Sequence, residues 1–165
     1  MTPQESVNAT WRLEGLGVLA WALQLFEMPQ YDTLVDVNDL FPAIGFLNTD
    51  GVQDVLSNAA TQLRPSDELD EFSAQMLALH WRVRDYSLRP QAMNFREFGE
   101  NCWFGPIDVS WAQLVDDDLA IEGTAISKAS EELVSRTQSL AMERHLAINW
   151  LQGWSEIYSE TDTST

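Results

Sequence analysis

Between Ser66 and Pro90 the apolar residues Leu69, Phe72, Met76, Leu79, Val83 and Tyr86 recur at steps of three and four, with His80 inside the stripe. That spacing predicts an amphipathic helix. Ser66 opens it, Asp67 and Glu68 suit its positive first turn, and it ends before Pro90. A single apolar stripe has to be buried against other elements, and two further long helices are predicted to supply them. The first runs from about Ser6 to Glu27, ahead of Pro29. There Leu16, Leu19, Leu23 and Phe26 keep helical spacing while Val18, Trp21, Ala22 and Leu25 fill the other side, the pattern of a central, buried helix. Gly15 and Gly17 cost it about 1 kcal/mol each in propensity, which close approach of a neighbouring helix would justify. The last helix starts around Ser127 to Ser130, with Glu131 and Glu132 in its first turn, and runs to about Gly153, suited to a left-handed C-terminal position.

Shorter elements fill the gaps. Residues 30–62 read as two short helices, one near Asp36 to Leu47 and one capped by Asn48 or Thr49 that carries Val52, Val55 and Leu56. A weaker helix covers Gln91 to Cys102, and Trp103-Phe104-Gly105-Pro106 breaks it. Asp118 to Ile121 and Thr124 to Ile126 flank Glu122-Gly123 as a small hairpin, too small to stand without the helices. The expected fold is therefore mainly all-α: a compact domain of about five to six helices, with one small β-hairpin near residues 118–126 capping an edge. No repeat, low-complexity tract or linker divides residues 1–165, which read as one domain with a polar C-terminal tail at 160–165.

Charge narrows the functional classes. Of the net −17, residues 1–62 hold eight acids against one base, and residues 102–165 eleven against three. Such a surface repels phosphate backbones and anionic headgroups, so neither nucleic acid nor a membrane surface is an expected partner, and a basic protein is. The longest apolar stretch, Gly15 to Phe26, falls short of the roughly 20 residues that span a bilayer. Glu5 and Glu14 against Arg12 make a poor signal-peptide leader. Cys102 stands alone, which removes intrachain disulfides and cysteine-based metal centres and fits a reducing, cytoplasmic setting. No metal or cofactor is expected.

The residues with chemical potential interrupt the apolar helix faces. They are Arg12 and Glu14 in the first helix, His80, Arg82, Arg84 and Asp85 in the middle one, and Glu143, Arg144, His145 and Asn149 in the last. Met76, His80 and Val83 share a face, as do Ala141, His145 and Ile148, so both histidines point where the core points. Eight of the nine basic residues are arginine, whose planar fork suits buried carboxylate networks, with Glu14, Asp85 and Glu143 as available partners. The plainest reading is a structural network locking three helices in register. The sharper one is a polar pocket where Arg82, Arg84 or Arg144 holds an anionic small molecule and a histidine moves a proton. A metal site from His80 and His145 has no supporting ligand spacing. Asp116-Asp117-Asp118 with Glu122 lacks the alternation of a calcium loop and reads as a solvated lead-in to the hairpin. Nucleophile-elbow, dinucleotide and P-loop patterns are missing. Trp103, Phe104 and Trp111, on an irregular stretch, could form a partner-binding surface.

Several of these blocks together resemble one family. They are Trp11-Arg12-Leu13-Glu14-Gly15-Leu16-Gly17, Leu63-Arg64-Pro65, Leu79-His80-Trp81-Arg82-Val83-Arg84-Asp85, Asp118-Leu119-Ala120-Ile121 and Glu143-Arg144-His145-Leu146-Ala147-Ile148-Asn149-Trp150. The family is domain of unknown function 4272, and the resemblance implies a bacterial, cytoplasmic domain without an established activity. The expectation is a non-enzymatic interaction or regulatory domain; the alternative is an anion-binding protein or enzyme using the Arg/His/Glu cluster.

Overall fold

The structure, a computed structural model, describes residues 3–58, 61–102 and 106–165, with side chains from residue 10 onward. Among these, six α-helices occur: α1 (Pro3–Ala22), α2 (Val37–Ala43), α3 (Gly51–Ser57), α4 (Ser66–Leu88), α5 (Phe95–Asn101) and α6 (Glu131–Leu151). Strands β1 (Leu114–Val115), β2 (Asp118–Ile121) and β3 (Thr124–Ala125) lie between α5 and α6. The fold is mainly helical with a small antiparallel sheet.

α4 forms where the three-four spacing places it and stops at Leu88, two residues before Pro90. α6 starts at its predicted cap, where the Ser130 hydroxyl accepts from the Leu133 amide at 3.2 Å. It ends in a Schellman motif, with Gly153 at φ +83° and the Trp154 amide donating back to the Asn149 carbonyl. α1 ends by the same device, five residues before Glu27. Gln24 takes the left-handed conformation at φ 60°, and the Leu25 amide donates to the Ala20 carbonyl. A non-glycine residue at that position gives no sequence signal, so Pro29 is not what stops the helix.

The helix expected at the centre is α1, but α6 packs on both α1 and α4 and takes that place. Val18, Trp21, Met76, Leu79, Val83, Ala141 and Ile148 join in one core with Leu119 and Ile121 of β2. Gly15 and Gly17 do permit close approach, though not by another helix backbone. A Cβ on Gly15 would sit 2.1 Å from the Tyr158 hydroxyl, and one on Gly17 2.8 Å from Val35. What crosses α1 there is the 28–35 loop on one side and the C-terminal segment on the other.

The smaller elements are shorter than expected. Gly45, at φ +71°, turns the chain soon after α2, and α3 follows Asp50 rather than a side-chain cap at Asn48 or Thr49. Val52 and Leu56 of α3 are exposed. α5 begins only at Phe95, where the Asn94 side chain accepts from the Glu97 amide at 2.9 Å. The hairpin is one half of a meander in the order β1-β2-β3. Glu122 and Gly123 both have positive φ, which makes a type I′ turn, and Asp116 and Asp117 build a second one between β1 and β2. The acidic run is therefore not a solvated lead-in throughout, because Asp118 is buried in β2. Thr161 is buried too, and the residues read as a polar tail lie against α4 and α6.

Candidate functional site

α6 carries five buried polar residues, and the four nearer its C-terminus, Glu143, Arg144, His145 and Asn149, face different neighbours. The expected cluster is thereby divided into four groups.

The first joins α6 to α1 and the following loop. Arg144 Nε donates to Glu14 Oε2 at 2.9 Å, while its terminal nitrogens donate to the carbonyls of Gln30 at 3.2 Å and Thr33 at 2.7 Å. The other oxygen of Glu14 accepts from the Val35 amide at 2.8 Å. Burial lowers the Arg144 pKa, and Glu14 and then Asp32 oppose the shift. The second group joins α4 to β2. Arg82 is fully buried and forks onto Asp118 at 2.8 and 2.6 Å, with further bonds to the Gln91 carbonyl and Asp85. Asp118 also accepts from the Met93 and Leu119 amides.

The third group is the histidine pair. His80 Nδ1 and His145 Nδ1 are 3.2 Å apart, and Asn149 Nδ2 lies 3.1 Å from both His145 Nε2 and the Asp162 carbonyl. A carbonyl only accepts, so Asp162 fixes the orientation of the Asn149 amide. His145 Nε2 is then an acceptor, and its proton sits on Nδ1 and is donated to His80 Nδ1. Both rings are neutral. Burial and the charge of Arg84 lower His80 to about 4; burial and His80 lower His145 to about 4 against the pull of Asp162.

In the fourth group the Tyr158 hydroxyl donates to Glu143 at 3.0 Å, and burial next to that carboxylate raises the tyrosine pKa. Arg12 is exposed, 6.0 Å from the Tyr158 ring centroid. Arg84 donates to the Thr165 carbonyl at 3.2 Å.

Every nitrogen of the two buried guanidiniums is already hydrogen-bonded, and among the described residues no serine, threonine or cysteine side chain is hydrogen-bonded to the histidine pair. Among the described residues there is no group of three or more metal-ligating side chains, and no helix is long and apolar enough to cross a membrane.

Two concavities adjoin these networks. The larger, about 440 Å³, lies between residues 27–31, the first half of α4 and Trp111. Its walls are aromatic. Trp21 packs on Phe72 at 4.5 Å between centroids, and Tyr31 meets Trp111 edge-on at 5.4 Å. Burial and Asp32 raise the Tyr31 pKa to about 12, and its hydroxyl donates to the Ala120 carbonyl at 2.7 Å. Glu27, Glu68 and Glu71 stand around it, and Arg64 spans it: its guanidinium lies 4.8 Å over the Trp21 ring and donates to Glu27 at 2.7 Å and Glu68 at 3.1 Å. Of the predicted cluster only Arg144 reaches this cleft. The smaller recess, about 280 Å³, lies between α4, α6 and the C-terminal segment, with His145 and Asn149 in its lining.

The family described as domain of unknown function (DUF4272) matches residues 1–95. The chain belongs to that family. The matched part takes in the Trp11–Gly17 and Leu79–Asp85 blocks and ends before the Glu143–Trp150 block. Among curated proteins and among solved structures nothing matches the chain. Trp111 is half-buried in the cleft wall, its indole N–H donating to the Asp108 carbonyl at 2.8 Å; Trp103 and Phe104 lie outside the described residues. Sequence reasoning missed Asp118 and Asp32, the latter buried and accepting from the Glu122 amide at 2.7 Å. A buried Arg82 called for a carboxylate, but the candidates named, Glu14, Asp85 and Glu143, all lie on the long helices, and Asp118 lies on a strand. The cleft itself is assembled from residues far apart in sequence, and Arg64 beside Pro65 gave no hint of it.

Proposed function

We propose that this domain is a non-enzymatic binding module for a basic protein, received in the 440 Å³ cleft through an arginine or lysine side chain. The observation that carries the reading is Arg64. The cleft already holds one guanidinium, stacked on Trp21 and clasped by Glu27 and Glu68, which is the recognition a visiting cation would meet beside Glu71 and Trp111. The net charge of −17 would draw a basic partner in and speed encounter at low salt. An anionic ligand at the Arg82, Arg84 and Arg144 cluster is disfavoured, since those groups are engaged internally.

The test is calorimetry with a short arginine-rich peptide, using the same peptide with glutamate for arginine as control. The arginine peptide is expected to bind with an affinity that falls with salt, and Trp111→Ala or Glu71→Lys is expected to weaken it about tenfold or more. Equal binding by both variants and the wild type removes the cleft from the reading; no binding of the arginine peptide overturns it.

A further inference from the structure

The smaller recess has a polarity of its own. Its floor includes Asn149, which is 1% exposed. Both Nδ2 hydrogens of that amide are engaged, one by His145 Nε2 and one by the Asp162 carbonyl, and Oδ1 has no hydrogen-bond partner among the described residues. A buried carbonyl oxygen without a donor is uncommon in a folded protein and calls for an explanation. His145 Nε2 beside it is an acceptor as well.

The rim repeats this bias. Asp70 and Asp162 line it, and no lysine or arginine does. Two of the lining residues that could donate already do so within the protein: Gln152 Nε2 donates to Asp70 at 2.9 Å, and the Ser164 hydroxyl and amide both donate to Asp162. Those Ser164 bonds hold the Asp162 carboxyl below the usual range, so it is anionic at neutral pH. Trp154, 66% exposed, presents an indole at the mouth.

We infer that the recess between α4, α6 and the C-terminal segment is a binding site for a small alkylammonium ligand. A primary ammonium carries three donors and no acceptor. It matches a recess with the two carboxylates of Asp70 and Asp162 and an indole in its lining and the buried, unpartnered Asn149 Oδ1 in its floor, where a carboxylate or phosphate ligand would meet like charge. The volume of about 280 Å³ suits a short aliphatic amine rather than a nucleotide. This site is separate from the aromatic cleft, and the two share no lining residue.

Calorimetry with 1,4-diaminobutane tests it, with 1,4-butanediol as the neutral control of equal length. The diamine is expected to bind one to one and the diol not at all. Trp154→Ala and Asp162→Asn, both at exposed positions, should each weaken the diamine about tenfold with an unchanged melting temperature. Trp111→Ala should leave it unaltered, which keeps the outcome independent of the basic-partner reading. Equal heats for diamine and diol, no heat from the diamine, or full binding by both recess variants would overturn the inference; the last result would mean that the amine condenses on the polyanionic surface.

Discussion

Acidifying the protein from pH 7 to pH 5 presses protons onto a pair of rings that have nowhere to put them. His80 and His145 titrate near 4 in the folded chain, against 6.5 for an unperturbed histidine. Between those values the unfolded chain binds more protons than the folded one, so stability falls as the pH falls, and the loss is complete below the folded value. At pH 5 each histidine taken alone then costs about 2 kcal/mol. The pair costs less than twice that, because part of the His145 shift is repulsion from His80, but still a large share of the roughly 5–15 kcal/mol that holds a domain folded. The structural cause is the same for both. A second proton on either ring turns the 3.2 Å Nδ1 contact into two opposed donors, or places a donor against Asn149 Nδ2. Arg84 adds repulsion from α4, and Asp162 only partly compensates. Urea denaturation of wild type and a His80→Leu/His145→Leu double variant at pH 7, 6 and 5 measures this. Lower pH also relieves repulsion among the many carboxylates, but it does so equally in both proteins, so the difference in slope isolates the pair. Parallel stability-versus-pH lines would refute the neutral, mutually hydrogen-bonded assignment.

Two further outcomes follow from the packing. Arg144→Met should cost about 3–5 kcal/mol in chemical denaturation, because Glu14 stays buried without a cation and the Gln30 and Thr33 carbonyls lose their donors; adding Glu14→Leu should restore part of the loss. Gly15→Ala should destabilise by about 1–3 kcal/mol through collision with the Tyr158 hydroxyl, and Tyr158→Phe in the same chain should recover stability relative to Gly15→Ala alone.

What could be read from the sequence was whatever repeats locally. α4 announced itself through three-four spacing and a terminal proline, the Glu122-Gly123 turn through glycine, and the end of α6 through Gly153. Both histidines and Arg144 face inward, as their apolar neighbours at three and four residues suggest, whereas Arg12 is exposed. Glu14 and Asp85 could be named as available carboxylates, but which arginine each would meet, and that Asp118 would join them, was not legible, because pairing is a property of the fold. Arg82 finds Asp118 across 36 residues and Arg144 finds Glu14 across 130, distances over which no period survives. The single cluster imagined from three helices comes apart for the same reason: residues one apart on α6 point about 100° apart, so Arg144 and His145 address different neighbours.

That division has a consequence for how the chain tolerates change. Between Glu143 and Asn149, α6 ties together the 30–33 loop, α4 and the C-terminal segment through side chains fixed at successive angles. Substitutions there act one at a time, and a partner can be altered to match. A single inserted or deleted residue rotates everything beyond it by about 100° and mismatches the ties on one side of the break at once. Length, more than chemistry, is what this stretch of helix has to preserve.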